Sequence, residues 1–222
     1  VLPAKEITKL GHDKGLWVML DAAHPVGQFP IDVKDIDCDF YVSCGHKWMM
    51  GPKGTGFLFM KKSMYEIVDP LFVGAGSVTD WDYNKGIHDY VKTGHRYDYT
   101  TRSAALSVGL EAAADFLLSI GMNNVGQRSK ALATHLMNNI KDLPNIEILT
   151  PFEDKSRAAL VGFRFKNIEY SKLQNWLMEH YKIRVRGVPE SGLNSIRIST
   201  HIYNDFEDVN KLIEALKKAS TL

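Results

Sequence analysis

The 222-residue chain has little that would tie it to nucleic acid, to a membrane or to an oxidising compartment. Lysine and arginine number 27 against 26 acidic residues, so no excess charge marks a surface for nucleic acid or anionic lipid. No apolar run approaches the roughly 18 residues that a membrane-spanning helix needs. Its two cysteines, Cys38 and Cys44, cannot build a disulfide framework. We therefore expect a cytoplasmic protein without nucleic-acid or membrane partners.

The sequence also lacks a metal-binding pattern. Cys38, Cys44, His24 and His46 do not have the spacings of common zinc sites, so we expect no metal. Internal repeats and low-complexity segments are missing as well. The chain begins Val-Leu-Pro, with neither methionine nor a signal peptide, and a helical pattern follows almost at once. We expect a fragment or processed piece of a longer protein.

What the first 60 residues contain is a pattern of one helix and several short strands. Apolar spacing predicts a helix over 4–14, ended by Gly15. Continuous apolar runs at 16–20, 39–43 and 55–60 predict three strands that are each buried on both faces. Short buried strands following a helix are typical of an α/β fold with a mostly parallel sheet.

The rest of the chain divides into three stretches. Residues 68–100 show no clear periodicity and predict a long loop. Two long helices follow, from Thr101 to Gly121 and from Asn123 to Leu143. The apolar pattern then changes to short strands alternating with helices, which predicts a small α+β domain. We place the boundary within the second long helix, which gives domains 1–125 and 126–222. The predicted elements of the last stretch are strands at 146–149, 158–165, 183–186 and 195–199 and helices at 170–181 and 205–219.

Three features that can carry chemistry cluster in the first 56 residues. Asp21 ends the first strand, at the position where open α/β sheets bind ligands. The segment Ser43–Lys47 follows the next strand, and Gly51–Gly56 forms a glycine-rich turn. Each has an ordinary explanation on its own, since a carboxylate at a strand end is commonly a cap. The turn also lacks the Gly-Lys-Ser/Thr ending of a phosphate loop and leads into a strand.

The combination is far more specific than its parts. Asp21–His24, Gly45–Lys47 and Gly51–Gly56 together resemble the cofactor-lysine region of class V aminotransferases. This family of pyridoxal-phosphate (PLP) enzymes of fold type I includes cysteine desulfurases, selenocysteine lyases and isopenicillin N epimerase-like proteins. Arg197–Ser199 with Tyr203–Asn204 resembles its terminal signature. The resemblance implies the C-terminal portion of such an enzyme, namely part of the PLP-binding large domain followed by the small α+β domain.

The resemblance also implies roles for five residues near the first strands. Lys47 is expected to bond covalently to PLP and to act as the base at the amino-acid α-carbon. Asp21 is expected to pair with the protonated ring nitrogen, because a carboxylate there favours protonation. Ser43 and His46 match phosphate-contacting positions, and His24 matches a position that contacts the cofactor ring or its phenolic oxygen.

Two further residues are expected to serve the site from later in the chain. Thr101 matches a threonine that reaches the phosphate of the partner subunit, which implies a homodimer with a site shared across the interface. Thr100 stands where the family usually has glycine, and this weakens the match. Arg197 matches the anchor of the substrate α-carboxylate, which a guanidinium can bind bidentately.

The reaction is constrained by a loop that lacks cysteine. Persulfide-forming cysteine desulfurases of the family carry a mobile thiol just before the arginine segment, and here 186–192 has none. The sequence therefore disfavours that route and leaves epimerase-like, carbon–sulfur lyase and aminotransferase chemistry open. An alternative from another class is an incomplete, non-catalytic fragment that keeps the fold without turnover.

Overall fold

The computed structural model describes residues 1–82 and 84–221, and only the backbone of Ile87 and His88. The chain forms two compact units. The N-terminal unit comprises Ala4–Val26 and Ile31–Phe116. The C-terminal unit comprises Val1–Pro3, Gly27–Pro30 and the chain from Leu117 onward. The domain division at residue 125 stays a prediction.

A three-stranded sheet organises the N-terminal unit. Its elements are α1 (Ala4–Asp13), β1 (Met19–Asp21), α2 (Val33–Ile36), β2 (Phe40–Cys44) and β3 (Gly56–Met60). The strand order is β1-β2-β3, with β2 in the centre. The side chain of Asp32 caps α2 by accepting hydrogen bonds from two backbone N–H groups. Helix α2 thus begins where the sequence supplies a capping carboxylate.

The direction of the strands differs in part from the sequence prediction. Strands β1 and β2 are parallel, as expected, because α2 lies in the connection between them. Strand β3 runs antiparallel to β2. The segment between β2 and β3 contains no helix, so it returns the chain as a loop rather than as a crossover. The sheet is therefore mixed among the described strands.

The prediction that the first strand is buried on both faces is wrong. Strand β1 begins only at Met19, which is 61% exposed, and Trp17 before it is also 61% exposed. Strand β3 likewise exposes Leu58. An apolar run becomes a doubly buried strand only where other layers cover both faces. No described element of the N-terminal unit covers these side chains.

A charged cluster lies at the beginning of β2, at the end opposite to Ser43. Asp39 is 4% exposed and accepts hydrogen bonds from the Val18 backbone N–H at 2.7 Å and from His12 Nε2 at 2.9 Å. Lys61 Nζ lies 3.9 Å from Asp39 and 2.6 Å from Asp37. Burial acts to raise the pKa of Asp39, but these hydrogen bonds and the charge of Lys61 hold the pKa below its usual value.

The stretch 68–100 contains regular structure that the sequence prediction missed. Strands β4 (Val78–Asp82) and β5 (Gly86–Tyr90) form an antiparallel hairpin with an irregular register. Gly86 has φ +82°, a left-handed conformation that glycine adopts without strain. Helix α3 (Ala104–Ile120) follows, and this helix confirms the predicted one. Short 3-10 helices lie at Lys62–Glu66, Gly94–Tyr97, Asp154–Ser156 and Glu190–Gly192.

The C-terminal unit is a sheet packed against helices. Its elements are α4 (Met122–Ile140), β6 (Ile146–Ile148), β7 (Leu160–Phe165), α5 (Tyr170–Tyr181), β8 (Arg186–Val188), β9 (Ser195–Ser199) and α6 (Phe206–Ala219). The sheet is antiparallel in the order β6-β7-β9-β8. These elements confirm the predicted helices and strands within a few residues. The strand predicted over 183–186 begins only at Arg186.

Alternation along β7 and β9 creates the core of this unit. Val161, Phe163 and Phe165 are buried, as are Ile196 and Ile198 on the paired strand. The residues between them face the other side of the sheet, because successive side chains of a strand point to opposite faces. Gly162 and Arg197 are one such outward pair. Helices α4, α5 and α6 and Val185, which precedes β8, supply the other buried side chains of the core.

Among the described helices, none is both long and apolar enough to cross a membrane by itself. Helices α3 and α4 satisfy the length and composition criteria only together, as a pair bent by 80°.

Candidate functional site

The structure brings two predicted site regions to one edge of the N-terminal sheet. Asp21 is the last residue of β1 and pairs in register with Val42 of the parallel strand β2. The segment with Ser43 and Lys47 leaves β2 at the same edge. Asp21 is exposed, and its Oδ1 accepts a hydrogen bond from the Ala23 backbone N–H at 3.0 Å. This bond fixes the carboxylate at the carboxyl end of the strand.

Lys47 lies on a loop that its own backbone holds closed. Gly45 N–H donates to the Thr55 carbonyl at 2.9 Å, and Gly51 N–H donates to the Gly45 carbonyl at 2.8 Å. Met50 N–H donates to the Lys47 carbonyl at 3.1 Å, which turns the chain directly after the lysine. The Lys47 side chain is exposed, and it makes no ion pair within the described residues. The loop therefore presents an exposed lysine side chain at the sheet edge.

The closure of this loop depends on glycine at position 45. A Cβ at Gly45 would lie 2.2 Å from Thr55 Oγ1 and 2.6 Å from Leu110 Cδ1, far inside van der Waals contact. A Cβ at Gly56 would lie 2.7 Å from the Ser43 carbonyl oxygen. The glycines of the motif thus allow close backbone approach around Lys47.

His24 is oriented by an aromatic neighbour that the sequence analysis did not single out. Trp48 Nε1 donates to His24 Nδ1 at 2.9 Å, and the two rings meet edge to face with centroids 6.5 Å apart. With Nδ1 accepting, the neutral imidazole carries its proton on Nε2. Trp48 directly follows the lysine, and it is 5% exposed. A tryptophan directly after the Gly-His-Lys segment is the sequence signal that could have identified it.

Ser43 and Cys44 turn their side chains toward the end of β1. The buried Ser43 hydroxyl donates to the Ala22 carbonyl at 2.9 Å, and Cys44 Sγ contacts the Ala23 carbonyl at 3.5 Å. Both contacts tie β2 to β1 at the candidate site. The Ser43 hydroxyl proton is thus engaged within the protein, and the phosphate contact expected of Ser43 stays a prediction.

His46 and Thr101 are both exposed in the N-terminal unit. His46 immediately precedes Lys47, and Thr101 lies in the segment just before α3. Their expected contacts with a phosphate group, which for Thr101 includes the partner subunit's cofactor, stay predictions.

Arg197 belongs to the C-terminal unit. It lies on β9 and lines an open cavity of about 650 Å³. Its Nε is buried without a hydrogen-bond partner. Arg184 and Arg186 line the same cavity, although the sequence analysis did not select them. The alternating pattern Ile-Arg-Val-Arg over 183–186 could have indicated that both point to one face.

Within the described residues, no group of three or more His, Cys, Asp or Glu side chains could hold a metal ion.

Comparisons with known proteins identify the family. The model of the class V aminotransferase family matches residues 1–212. The chain belongs to the class V aminotransferases. This membership confirms the resemblance, and similar solved structures confirm the α/β fold of these PLP enzymes. One is an apo cysteine desulfurase from Thermococcus onnurineus, with a TM-score of 0.88 at 23% identity, covering 99% of this chain and 56% of that one.

Two other relatives match nearly the whole of this chain. A cysteine desulfurase of Haloferax volcanii is 31% identical over 230 residues, which cover 100% of this chain and 53% of the relative. A cystine C–S lyase, solved with its reaction product cysteine persulfide, has a TM-score of 0.84 at 25% identity. That match covers 98% of this class V chain and 57% of the lyase. The chain thus spans about half the length of the relatives it matches.

The residues at the sheet edge fit the PLP cofactor that family membership implies. A variant of the same lyase, 24% identical to this class V chain, carries glycine covalently linked to PLP. Here the fit rests on the donor set: an exposed carboxylate on Asp21, an amine on Lys47 and an oriented imidazole on His24. Thr55 and Leu110 pack where a Cβ at position 45 would lie, and glycine at that position thus lets the loop with Lys47 close tightly.

Proposed function

We propose that this chain supplies the cofactor lysine and the substrate anchor of a PLP-dependent enzyme that acts on an amino acid at or next to its α-carbon. One observation carries the proposal: β1 and β2 end side by side, so that Asp21 and the Lys47 loop leave the same sheet edge. A carboxylate and an amine at one edge are the two groups that this chemistry needs from the protein.

Each residue has a separate task. PLP, when bound, withdraws electrons from the amino-acid α-carbon. Asp21 holds a proton on the ring nitrogen, because its negative charge favours the protonated form. Lys47 holds the cofactor and then removes and returns a proton at the α-carbon. His24, oriented by Trp48, would contact the cofactor ring or its phenolic oxygen. Arg197 binds the substrate carboxylate through its guanidinium fork.

We further propose that the reaction does not pass through a persulfide on the enzyme. The segment from Arg186 to Gly192 contains no cysteine, and Cys38 is buried at 0% exposure. Cys44 Sγ is directed to the Ala23 carbonyl. Carbon–sulfur lyase, epimerase-like and aminotransferase chemistry need no protein thiol. Similarity to a cystine C–S lyase supports a reaction without an enzyme thiol. Similarity to cysteine desulfurases means that persulfide formation on Cys38 and Cys44 must be tested directly.

The assembly is also part of the proposal. Thr101 would reach the phosphate site of a second copy in a cytoplasmic homodimer.

Borohydride reduction tests the assignment of the lysine. The chain is incubated with PLP, reduced and mapped by peptide mass spectrometry. We expect the label on Lys47, and its loss in Lys47→Ala but not in Lys53→Ala, which removes an exposed lysine of the same loop. A label on another lysine would contradict the assignment. A chain that binds no PLP at all would support the alternative of a non-catalytic fragment.

A persulfide assay tests the route. After incubation of the PLP-loaded protein with cysteine, we expect no persulfide on Cys38 or Cys44 by mass spectrometry. The matched control is the Cys44→Ser variant, which should behave like the wild type. Persulfide formed on either thiol at the rate of turnover would return the protein to the persulfide-forming desulfurases.

A further inference from the structure

The cavity that contains Arg197 is strongly cationic. Five of its lining side chains are basic and one is acidic, Asp208. Asp208 is already engaged, because its Oδ2 accepts hydrogen bonds from the Asn204 side chain at 3.2 Å and the Asp205 backbone at 3.3 Å. The basic residues are Lys182, Arg184, Arg186, Arg197 and Lys211. One substrate carboxylate would leave most of this charge unbalanced.

Two of these arginines stand directly opposite each other. Arg186 of β8 pairs in register with Arg197 of β9. Their neighbours Gly187 and Ile196 are buried on the core side, so both arginines point to the outer face. Like charges directly opposite on neighbouring strands are destabilising. Such a pair is accommodated when an anion lies between the two guanidiniums.

The protein supplies only part of the missing negative charge. Arg186 donates to Glu190 at 2.9 Å, and both side chains of this pair are 59% exposed. On its other side Arg197 faces Gly162, which has no side chain. The Arg197 Nε remains buried without an acceptor. Glu190 therefore pairs with Arg186 at the exposed surface, whereas Arg197 Nε is left for a ligand.

We propose that Arg186 binds a second acidic group of the substrate, so that this cavity selects amino acids whose side chain ends in a carboxylate-like acid. The inference rests on the proposed function in one respect, the role of Arg197 as the anchor of the α-carboxylate. Arg186 then contributes specificity, and Glu190 is an internal competitor that the side-chain acid displaces. Charge-assisted hydrogen bonds to carboxylates are strong enough to produce such selection.

Calorimetric titration of the full chain with succinate and butyrate tests the proposal, because these acids have the same carbon chain and differ by one carboxylate. We expect succinate to bind about tenfold more tightly than butyrate. Arg186→Gln should abolish the difference, Arg197→Gln should weaken both acids, and Glu190→Gln should tighten succinate only. Arg164→Gln, on β7 outside the cavity, is the control and should change neither.

Two outcomes would overturn the inference: equal affinity of the two acids for the wild type, or an unchanged preference in Arg186→Gln. Circular dichroism of each variant identifies loss of folding. No PLP is present in this titration, so its result is independent of the lysine assignment. Labelled Lys47 without a preference for succinate would refute the acidic substrate alone. A preference for succinate without labelling would refute the proposed enzyme function alone.

Discussion

The two compact units are stabilised by different kinds of buried side chain. In the C-terminal unit, α4 to α6 and the sheet bury a continuous apolar cluster, including Leu136 and Phe163 at 0% exposure. The buried apolar cluster that includes β1 and β2 is small, with Ala22, Cys38 and Tyr41 as its fully buried members. Burial raises the pKa of Tyr41 to about 12, so its hydroxyl stays neutral.

Buried charged side chains, unlike the large apolar cluster, are found in the N-terminal unit. Asp39 lies in the N-terminal unit, as does Arg96, which is 7% exposed. The Arg96 guanidinium lies 4.8 Å from the ring centroid of Tyr90 and 5.6 Å from those of Tyr65 and Tyr97. Such cation–π contacts stabilise a desolvated cation. Apolar packing thus holds the C-terminal unit, whereas the N-terminal unit also depends on specific polar and cation–π contacts of buried charges.

Matched leucine truncations test this comparison with the largest expected effect. Leu136→Ala should lower the free energy of unfolding by about 2–5 kcal/mol, because it removes a fully buried side chain and leaves a cavity. Leu58→Ala, at a position that is 51% exposed, should cost less than about 1 kcal/mol. Urea denaturation measures both. Equal costs would mean that the N-terminal unit also depends on apolar burial.

An alanine at position 45 tests whether the N-terminal unit depends on the tight loop around Lys47. Gly45→Ala should destabilise by about 1–3 kcal/mol and prevent PLP labelling of Lys47, because the added methyl group would overlap with Thr55 and Leu110. Gly76→Ala is the control, since nothing lies within 4 Å of a Cβ there. Thermal unfolding and borohydride labelling give the two measurements. Normal labelling in Gly45→Ala would show that the loop does not need its tight closure.

Acid titration tests the buried charge and has the smallest expected effect. The pKa of Asp39 is lowered by folding, so its stabilising contribution is present above the pKa of an unfolded aspartate, about 3.9. This contribution is lost as the pH falls through the lower pKa of the folded state. Asp39→Asn should cost about 1 kcal/mol at neutral pH and flatten the loss of stability below pH 4.

The control for this titration is Asp13→Asn, which removes an exposed ion pair with Lys9. It should leave the unfolding free energy within about 0.5 kcal/mol at every pH. An acid dependence that is the same in Asp39→Asn and in the wild type would assign the titration to other carboxylates.

Much of this arrangement could be predicted from short-range patterns. Strand ends at Asp21 and Ser43 followed from apolar runs, and the alternation that places Arg197 outward is visible in Ile-Arg-Ile. The exposure of Trp17 could not be predicted, because burial of a strand depends on what packs against it. The Ser43 contact with Ala22 joins two strands, and such long-range pairing leaves no local signal.

The hairpin β4–β5 was missed for a different reason. Its strands carry Asp80, Asp82 and Asp89, which are unfavourable in strands, and its register is irregular. The cationic cavity was missed because Arg184 and Arg186 were considered as part of a loop and strand, without the cross-strand partner Arg197. Pairing of β8 with β9, which are separate in sequence, brings Arg186 next to Arg197 in one cavity.

The contact between Gln28 and Ala159 has a consequence for the order of folding. The buried Gln28 Oε1 accepts a hydrogen bond from the Ala159 backbone N–H, 131 residues later in the chain. The N-terminal sheet, by contrast, closes between neighbours such as Met19, Phe40 and Met60. Closing a long loop is entropically costly and slow, so this sheet should assemble first on an emerging chain. The hydrogen bond between Gln28 and Ala159 would then form only after residue 159 has been synthesised.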